Sequence, residues 1–317
     1  MLDQADIAQI LNDYRIGALE DAQPLTAGTV QTNLLLRTSQ GPFVLRYYRQ
    51  NRSFEAVLFE VHLINYLKRK GYPCPGVIRN VRGKYAGVYG GRPYAIFEFI
   101  AGEHVEEPTA AQQAQLIQQV AELHNLTKRY RPTYTSYRWN YNVAFCAAMA
   151  TAKANELATR AAQEKLAWYR QELAKLVLPA ALPKGVCHAD FHFSNMLFQD
   201  GHFHALLDFD DANYTYLTFD LTTLIEPFTF RWDTWQEVAP GANAFDFSAA
   251  RQTVAHYQRY RPLNALERKY FFDVVKLGIF IDCLWFFSRG MTEDFYEKRK
   301  IDALDDLGRD RFCRALF

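Results

Sequence analysis

The sequence predicts an α+β fold in which a small strand-rich part, residues 1–101, precedes a larger, mainly helical part, residues 102–317. Short apolar runs bounded by Gly and Pro turns fill residues 30–100, whereas apolar residues recur with helical spacing after Gly102. The chain has 317 residues, of which 49% are hydrophobic and 22% charged. That length accommodates about two domains, and the composition excludes a disordered chain.

Two hairpins are predicted in the N-terminal part, where they would form a small antiparallel sheet. Their four strands are expected at residues 34–38, 43–48, 85–89 and 93–99. A four-residue loop at 39–42 would join the first pair, and Gly90-Gly91 would join the second. Between the hairpins a helix is predicted over about residues 54–70, with Ser53 as its N-cap and Gly71 just after its end.

Helices are predicted for most of the C-terminal part. Thr109 and Gln112 form a capping box ahead of an amphipathic segment, and an alanine-rich helical region covers about residues 142–178. Two short strands are expected to interrupt the helices, at residues 195–198 and 203–209. A helical, aromatic-rich pattern returns from Phe219 onward. The domain boundary is therefore expected near residue 101.

Charge and cysteine usage restrict the partners and the compartment. Lys and Arg number 36 against 35 Asp and Glu, so no strong field is available to bind nucleic acid or an anionic membrane. The five cysteines are far apart without a C-x-x-C pair, which predicts free thiols and a cytoplasmic protein. Residues 271–287 are apolar, but three charged residues interrupt them, so a buried helix is expected there instead of a membrane span. The oligomeric state, monomer or homodimer, stays open.

Four residues form the pattern that carries chemistry. Asp190 and Asn195 have the D-x-x-x-x-N spacing of a kinase catalytic loop, and His188 lies two residues before Asp190. Phosphoryl transfer to an alcohol needs a carboxylate near the attacking hydroxyl, which would be Asp190, and oxygen ligands for Mg²⁺. Asn195 and Asp208 would supply those ligands, because the predicted hairpin between them folds the two residues back beside each other. His188 is expected to brace the catalytic loop by hydrogen bonds.

This segment resembles the Brenner-type motif of the aminoglycoside phosphotransferase and choline kinase superfamily. His188-Ala189-Asp190 stands where protein kinases carry H-R-D, and Asp208-Phe209-Asp210 resembles their D-F-G. The resemblance extends over most of the chain, and residues 182–220 are most similar to bacterial homoserine kinases. It implies a protein-kinase-like fold with two lobes, in which a small antiparallel-sheet N-lobe covers the nucleotide and a larger helical C-lobe carries the catalytic and acceptor-binding groups. The implied cofactors are ATP and Mg²⁺.

The resemblance implies a nucleotide site in the N-lobe. A phosphate-covering loop would lie at residues 28–33, where Gly28 and Thr29 are candidate contacts, although this segment also fits a simple hairpin turn. Backbone groups of the hinge would meet adenine at Glu98, Phe99 and Ile100. Asp220 matches a family aspartate that steadies the catalytic loop.

The resemblance also places a basic residue on the third strand, where this sequence has Arg46 instead of the lysine of protein kinases. Arginine keeps the charge but contacts phosphate with a different geometry. Its partner would be Glu60 of the following helix. Glu60 lies three residues after Val57 and four before Ile64, so it shares the apolar face of that helix. Because an unpaired carboxylate there would be destabilising, the pattern independently supports an Arg46–Glu60 ion pair.

These residues predict an ATP-dependent phosphotransferase that acts on the hydroxyl of a small molecule: homoserine, another amino alcohol or an aminoglycoside. A metal-dependent phosphohydrolase is an alternative, because Asp208 and Asp210 superficially resemble the D-x-D loop of haloacid-dehalogenase-like phosphatases. A protein Ser/Thr kinase of the same superfamily and a catalytically silent nucleotide-binding module are the others. The charged candidates for binding the acceptor, which the sequence does not place in one pocket, are Asp210, Asp211, Glu226, Arg231 and Asp282.

Overall fold

The computed structural model describes residues 2–25, 31–49, 51–229, 245–293 and 295–317, without the side chains of residues 227, 228, 295 and 296. Contacts within the chain divide it into two compact units. Unit 1 comprises Met1–Gln112, Arg131–Arg138 and His192–Ala212, and unit 2 comprises Gln113–Tyr130, Trp139–Phe191 and Asn213–Phe317. Unit 1 is therefore assembled from three separate stretches of sequence. The expected boundary for independent domains near residue 101 stays a prediction.

An antiparallel sheet of five strands forms the centre of unit 1. The strands are β1 (Leu19–Pro24), β2 (Thr32–Thr38), β3 (Gly41–Tyr47), β4 (Gly87–Tyr89) and β5 (Arg92–Glu98). Their order across the sheet is β1-β2-β3-β5-β4. Both predicted hairpins, β2–β3 and β4–β5, are present. The first helix, α1 (Gln4–Leu11), was not predicted; its Ile7 and Ile10 join the core on the sheet with Leu36 and Leu45.

The first hairpin turns in two residues, so the predicted four-residue loop is wrong. Thr38 pairs with Gly41, and Pro42, predicted as loop, pairs with Arg37. Gly41 has a φ of +116°, which glycine adopts without steric penalty, and the Thr38 hydroxyl donates to the Gly41 carbonyl at 3.0 Å. Gly and Pro, which are typical turn residues, here belong to the strand that follows the turn.

The predicted helix between the hairpins, α2, spans Phe54–Arg69. The Ser53 hydroxyl accepts the Ala56 amide at 3.1 Å and caps its first turn, as predicted. Glu60 and Ile64 both lie on the buried face of α2. The helix therefore carries a carboxylate into an apolar environment, where it needs a partner.

The remaining strands are β6 (Lys184–Cys187), β7 (Met196–Gln199), β8 (His202–Leu206) and β9 (Asn213–Tyr216). β7 and β8 form the predicted hairpin of residues 195–209 within unit 1, and β6 pairs with β9 in unit 2. Backbone hydrogen bonds of 2.9 Å join Glu103 and Phe198 in both directions. Gly102 permits this close approach, because a Cβ at that position would lie 2.9 Å from the Cβ of Leu197.

Eight further helices complete the described part of the chain. They are α3 (Ala110–Thr127), α4 (Val143–Leu157), α5 (Arg160–Leu173), α6 (Phe219–Thr229), α7 (Phe247–Tyr260), α8 (Ala265–Ser288), α9 (Phe295–Leu307) and α10 (Arg309–Leu316). The predicted capping box is present, since Thr109 and Gln112 exchange hydrogen bonds. The alanine-rich region is two helices, because Ala158 adopts a φ of +51° and Thr159 caps a new helix.

α8 is the central buried helix of unit 2. Phe271, Phe280 and Phe287 on this helix have no exposed surface. The apolar stretch of residues 271–287 is therefore a buried helix, as predicted. No helix in the described part of the chain has the length and the apolar run that a membrane crossing requires.

Candidate active site

Arg46 connects three elements of unit 1. Its Nη1 donates to Glu60 Oε1 and to Asp208 Oδ1, each at 3.0 Å. Its Nε donates to Asn33 Oδ1 at 3.1 Å, because Asn33 on β2 pairs directly with Arg46 on β3. The predicted Arg46–Glu60 ion pair is thus present, and the Glu60 side chain is fully buried. One guanidinium ties the sheet, α2 and the D-F-D segment together.

Burial sets the electrostatics of this ion pair. It raises the pKa of Glu60 to about 7, although the positive charge of Arg46 opposes the shift. Burial alone would lower the pKa of Arg46, but the nearby charges of Asp208 and Glu60 raise it well above its usual value. Arg46 therefore stays charged at every accessible pH, whereas Glu60 titrates near neutrality.

Asn195 and Asp208 are brought together by the β7–β8 hairpin. The Leu207 amide donates to the Asn195 carbonyl at 2.8 Å, one position beyond the last strand pair. Asp208 adopts a left-handed conformation with φ of +56°, and its side chain is 40% exposed. An amide oxygen and a carboxylate are ligand types that Mg²⁺ accepts in proteins, so this pair fits a magnesium site.

The charged groups open into a cavity of about 380 Å³ within unit 1. Of the predicted site residues, those lining it are Arg46, Glu60, Glu98, Phe99, Ile100, Asn195 and Asp208. Val44, Leu197 and Leu207 give it apolar walls. An apolar slot that carries a cation and oxygens able to bind a metal is suited to a nucleoside triphosphate.

The hinge is partly occupied by internal hydrogen bonds. The Glu98 amide donates to the Gly76 carbonyl at 2.8 Å, and its carboxylate accepts from Lys68 Nζ and the Gly76 amide. Glu98 can therefore offer a ligand its carbonyl but not its amide. Gly28 and Thr29 of the predicted phosphate-covering loop lie outside the described residues.

Unit 2 contains the start of the predicted catalytic loop, including His188 and Asp190. Asp220 at the beginning of α6 accepts the His188 amide at 2.9 Å and the Ala189 amide at 2.8 Å, as the prediction for Asp220 requires. Ala189 has a φ of +65°, which a non-glycine residue adopts only when its surroundings hold it there. His188 is fully buried and Asp190 is half-buried.

A buried network supports Asp220 from the other side. His124 Nε2 donates to Asp220 Oδ2 at 2.9 Å, and the Tyr257 hydroxyl donates to His124 Nδ1 at 2.7 Å. Arg261 donates to the Tyr257 hydroxyl at 3.0 Å and forms an ion pair with Glu267. Burial lowers the pKa of His124 despite the neighbouring carboxylate, so the imidazole is neutral at physiological pH.

The acceptor candidates separate between the two units. Asp210 and Asp211 belong to unit 1, and Glu226 and Asp282 belong to unit 2. Lys300 Nζ donates to Glu226 Oε1 at 2.6 Å, and both charges act on the exposed Asp282 carboxylate. The remaining candidate, Arg231, lies outside the described residues.

Comparison with known proteins identifies the family. The sequence pattern of the phosphotransferase enzyme family matches residues 21–263. The chain belongs to the phosphotransferase enzyme family. It is accordingly a kinase that phosphorylates a hydroxyl acceptor, and the superfamily predicted from the motif residues is confirmed.

Relatives of this phosphotransferase include bacterial homoserine kinases. That of Bartonella tribocorum is 27% identical over 266 residues, which is 83% of this chain and 79% of the relative. That of Rhodopseudomonas palustris strain BisA53 is 28% identical over 307 residues, which is 95% of this chain and 85% of the relative.

Solved structures share the fold of this phosphotransferase. A microcompartment-associated aminopropanol kinase matches with a TM-score of 0.63 and 17% identity, over 96% of this chain and 94% of its own. An amicoumacin kinase, solved in complex with AMP-PNP, Ca²⁺ and Ami, matches with a TM-score of 0.62 and 18% identity, over 98% of this chain and 94% of its own. The predicted protein-kinase-like α+β fold, with a small antiparallel-sheet lobe and a larger helical lobe, is confirmed.

Two contacts around the cavity of this phosphotransferase were not predicted from the sequence. Asn33 reaches Arg46 only because β2 and β3 are paired in this register. His104 lines the cavity, and its Nδ1 donates to the Met196 carbonyl at 3.0 Å. Asn33 ends the predicted phosphate-covering loop, but its contact with Arg46 was not predicted, and His104 belongs to no motif; their partners lie 13 and 92 positions away.

Proposed function

We propose that this family member transfers the γ-phosphoryl group of ATP to the hydroxyl of a small amine-bearing alcohol, with homoserine as the first candidate. The observation that carries the proposal is the placement of Arg46, Asn195 and Asp208 around one cavity of about 380 Å³. A cation and two oxygen ligands in an apolar slot match the needs of a metal–triphosphate.

In the proposed mechanism, Arg46 holds the phosphates and Glu60 fixes the orientation of its guanidinium. The side-chain oxygens of Asn195 and Asp208 would hold Mg²⁺, which supplies neutralisation of the phosphate charge. Glu98, Phe99 and Ile100 would bind adenine through their backbone, with Glu98 limited to its carbonyl. Gly28 and Thr29 are proposed to cover the phosphates.

Asp190 is proposed to orient the acceptor hydroxyl and take its proton during transfer. The anchoring of the preceding backbone by Asp220 supports this role, because it fixes the direction in which residue 190 leaves the loop. His188 would brace the same loop from its buried position.

Amine-bearing acceptors are favoured by two observations. The relatives include homoserine kinases, and the structural neighbours include an aminopropanol kinase. Unit 2 holds Asp282, whose exposed carboxylate would pair with the ammonium group of the acceptor.

An acceptor screen by coupled ADP release, with homoserine first, tests the proposed substrate. Homoserine, an amino alcohol or an aminoglycoside should raise ADP release far above the rate without acceptor. Acceptor-independent phosphate release with a trapped acyl-phosphate on Asp208 would support the hydrolase alternative. Labelled phosphate appearing only on protein serine or threonine would support the protein kinase.

Replacement of the proposed base tests the mechanism. Asp190→Asn should lower kcat by a factor of about 10²–10⁴ with little change in ATP affinity, because the variant removes only the proton acceptor. Asp200→Asn, at an exposed hairpin turn, is the matched control and should keep full activity. Turnover of Asp190→Asn within about tenfold of the wild-type protein would refute the assignment.

A further inference from the structure

Asp210, the third residue of the D-F-D segment, is held on both carboxylate oxygens. Arg52 Nη2 donates to Oδ1, and Gln31 Nε2 donates to Oδ2 at 3.0 Å. Both carboxylate oxygens of Asp210 are therefore already occupied by protein donors, which makes Asp210 unsuited to bind a metal directly.

The backbone around Asp210 is held as firmly as its side chain. Arg52 Nη2 also donates to the Asp210 carbonyl at 2.6 Å, and Arg138 Nη2 donates to the same oxygen. Arg138 Nε donates to the Ala212 carbonyl at 3.0 Å, so its guanidinium binds the carbonyls of both Asp210 and Ala212. Arg138 is buried, with its guanidinium 5.2 Å from the ring centre of Phe59 on α2.

These contacts hold Asp210, which lies two residues after Asp208, a residue with a strained backbone. Asp208 has a φ of +56°, a conformation that costs a non-glycine residue free energy unless neighbouring contacts hold it. Phe209–Asp211 forms a single 3-10 turn directly after it, and the Asp210 amide points at Asp208 Oδ1 at 3.4 Å. Fixing this turn fixes the direction of the Asp208 carboxylate. We call Gln31, Arg52, Arg138 and Asp210 the Asp210 anchor.

We propose that the Asp210 anchor positions Asp208 as a metal ligand. Asp210 is a positioning residue that does not touch the metal, and Arg52 and Arg138 act through it. The inference rests on the proposed role of Asp208 in binding Mg²⁺. It adds a group of residues from four separate parts of the sequence. Together they hold Asp208 in its unfavourable backbone conformation and so fix the direction of its carboxylate.

Mn²⁺ binding to the ADP-saturated full-length protein, followed by the electron paramagnetic resonance of free Mn²⁺, tests the inference. Asp210→Asn should weaken Mn²⁺ binding about tenfold, whereas ADP affinity measured in EDTA should change less than about twofold. Arg52→Gln should have the same effect, and Arg52→Lys, which keeps a cation, should restore most of the affinity. Asp13→Asn removes an exposed Asp–Arg pair of the same unit and serves as the matched control.

Three outcomes would overturn the inference. Unchanged Mn²⁺ affinity in Asp210→Asn, or in Arg52→Gln if the first variant does not fold, shows that the anchor does not act on the metal ligand. An equal loss of Mn²⁺ affinity and metal-free ADP affinity shows a general structural role. A failure of Arg52→Lys to recover more affinity than Arg52→Gln shows that the ion pair is not the cause.

Asp208→Asn in the same assay separates this inference from the proposed function. If Asp208→Asn binds Mn²⁺ as tightly as the wild-type protein, the metal role of Asp208 fails and the anchor fails with it. If Asp208→Asn loses Mn²⁺ and Asp210→Asn does not, the metal role stands and only the anchor is wrong.

Discussion

Glu60 is a buried carboxylate whose burial costs stability and whose ion pair holds Arg46 in place. The carboxylate is fully buried, and its pKa is raised to about 7 by that burial despite the ion pair with Arg46. A neutral side chain would be easier to bury, but it would not give Arg46, the proposed phosphate contact, an ion-pair partner. The residue could be predicted from the sequence because its position on an apolar helix face demanded a partner.

Glu60→Gln should make the protein less sensitive to pH. The folded state holds the Glu60 proton up to about pH 7, whereas the unfolded chain releases it near 4.5. Stability of the wild-type protein is therefore lost as pH rises from about 4.5 through 7. Thermal unfolding midpoints at pH 5.5 and 8.5 should show the variant gaining a few degrees on the wild-type protein at the higher pH. An equal difference at both pH values would contradict the assignment.

Asp220→Asn should lower kcat about a hundredfold while the KM for ATP changes little. The substitution weakens acceptance of the His188 and Ala189 amides, so the loop that carries Asp190 loses its fixed direction. Tyr257→Phe, which removes only the hydrogen bond to His124, should have a much smaller effect. Steady-state kinetics of both variants check this; a rise in the KM for ATP with constant kcat in Asp220→Asn would contradict it.

At the scale of elements, local chemistry explains what the sequence could predict. The α2 cap at Ser53 and the capping box at Thr109 depend on neighbouring residues, and both are present as expected. The predicted length of the first hairpin turn was wrong because strand pairing, which is a non-local effect, extends through Gly41. The Asp210 anchor was missed for the same reason, since Asp210 and its partner Arg52 lie 158 positions apart and share no motif.

Gly102→Ala should destabilise the approach of the hinge segment to the β7–β8 hairpin by about 1–3 kcal/mol. The new Cβ would lie 2.9 Å from the Cβ of Leu197, which also lines the proposed nucleotide cavity. Denaturant unfolding and the KM for ATP measure the two effects. Leu197→Ala combined with Gly102→Ala should cost less than the sum of the single changes; strict additivity would show that the two positions do not clash.

At the scale of the whole molecule, the motif residues are distributed between the two compact units. Arg46, Asn195 and Asp208 belong to unit 1, whereas His188 and Asp190 belong to unit 2. Motif spacing predicted the superfamily, because chemistry restricts residue types and their separation along the chain. It could not predict that residues 192–212 belong to the same compact unit as the N-terminal sheet, since no local pattern records that contact.

ATP with Mg²⁺ should stabilise the whole protein, because both bind only the folded chain. Saturation at a hundred times the dissociation constant should add about 2.7 kcal/mol to the free energy of unfolding. Thermal unfolding with ATP, with and without Mg²⁺, measures the effect, and Asp208→Ala should lose the part that depends on the metal. An identical metal-dependent gain in that variant would contradict the proposed ligand.

The three-stretch composition of unit 1 has a consequence for the nascent chain. The sheet of residues 19–98 is synthesised early. The last stretch of unit 1, which carries Asn195 and Asp208, is complete only when residue 212 has been added. Until then Arg46 lacks its contact with Asp208, and the cavity lacks the walls that Leu197 and Leu207 contribute. Synthesis from the N-terminus usually completes domains in order. Here unit 1 stays incomplete while much of unit 2 is being made. The proposed nucleotide site is thus among the last features of unit 1 to form, although its sheet is the first part of the unit to be translated.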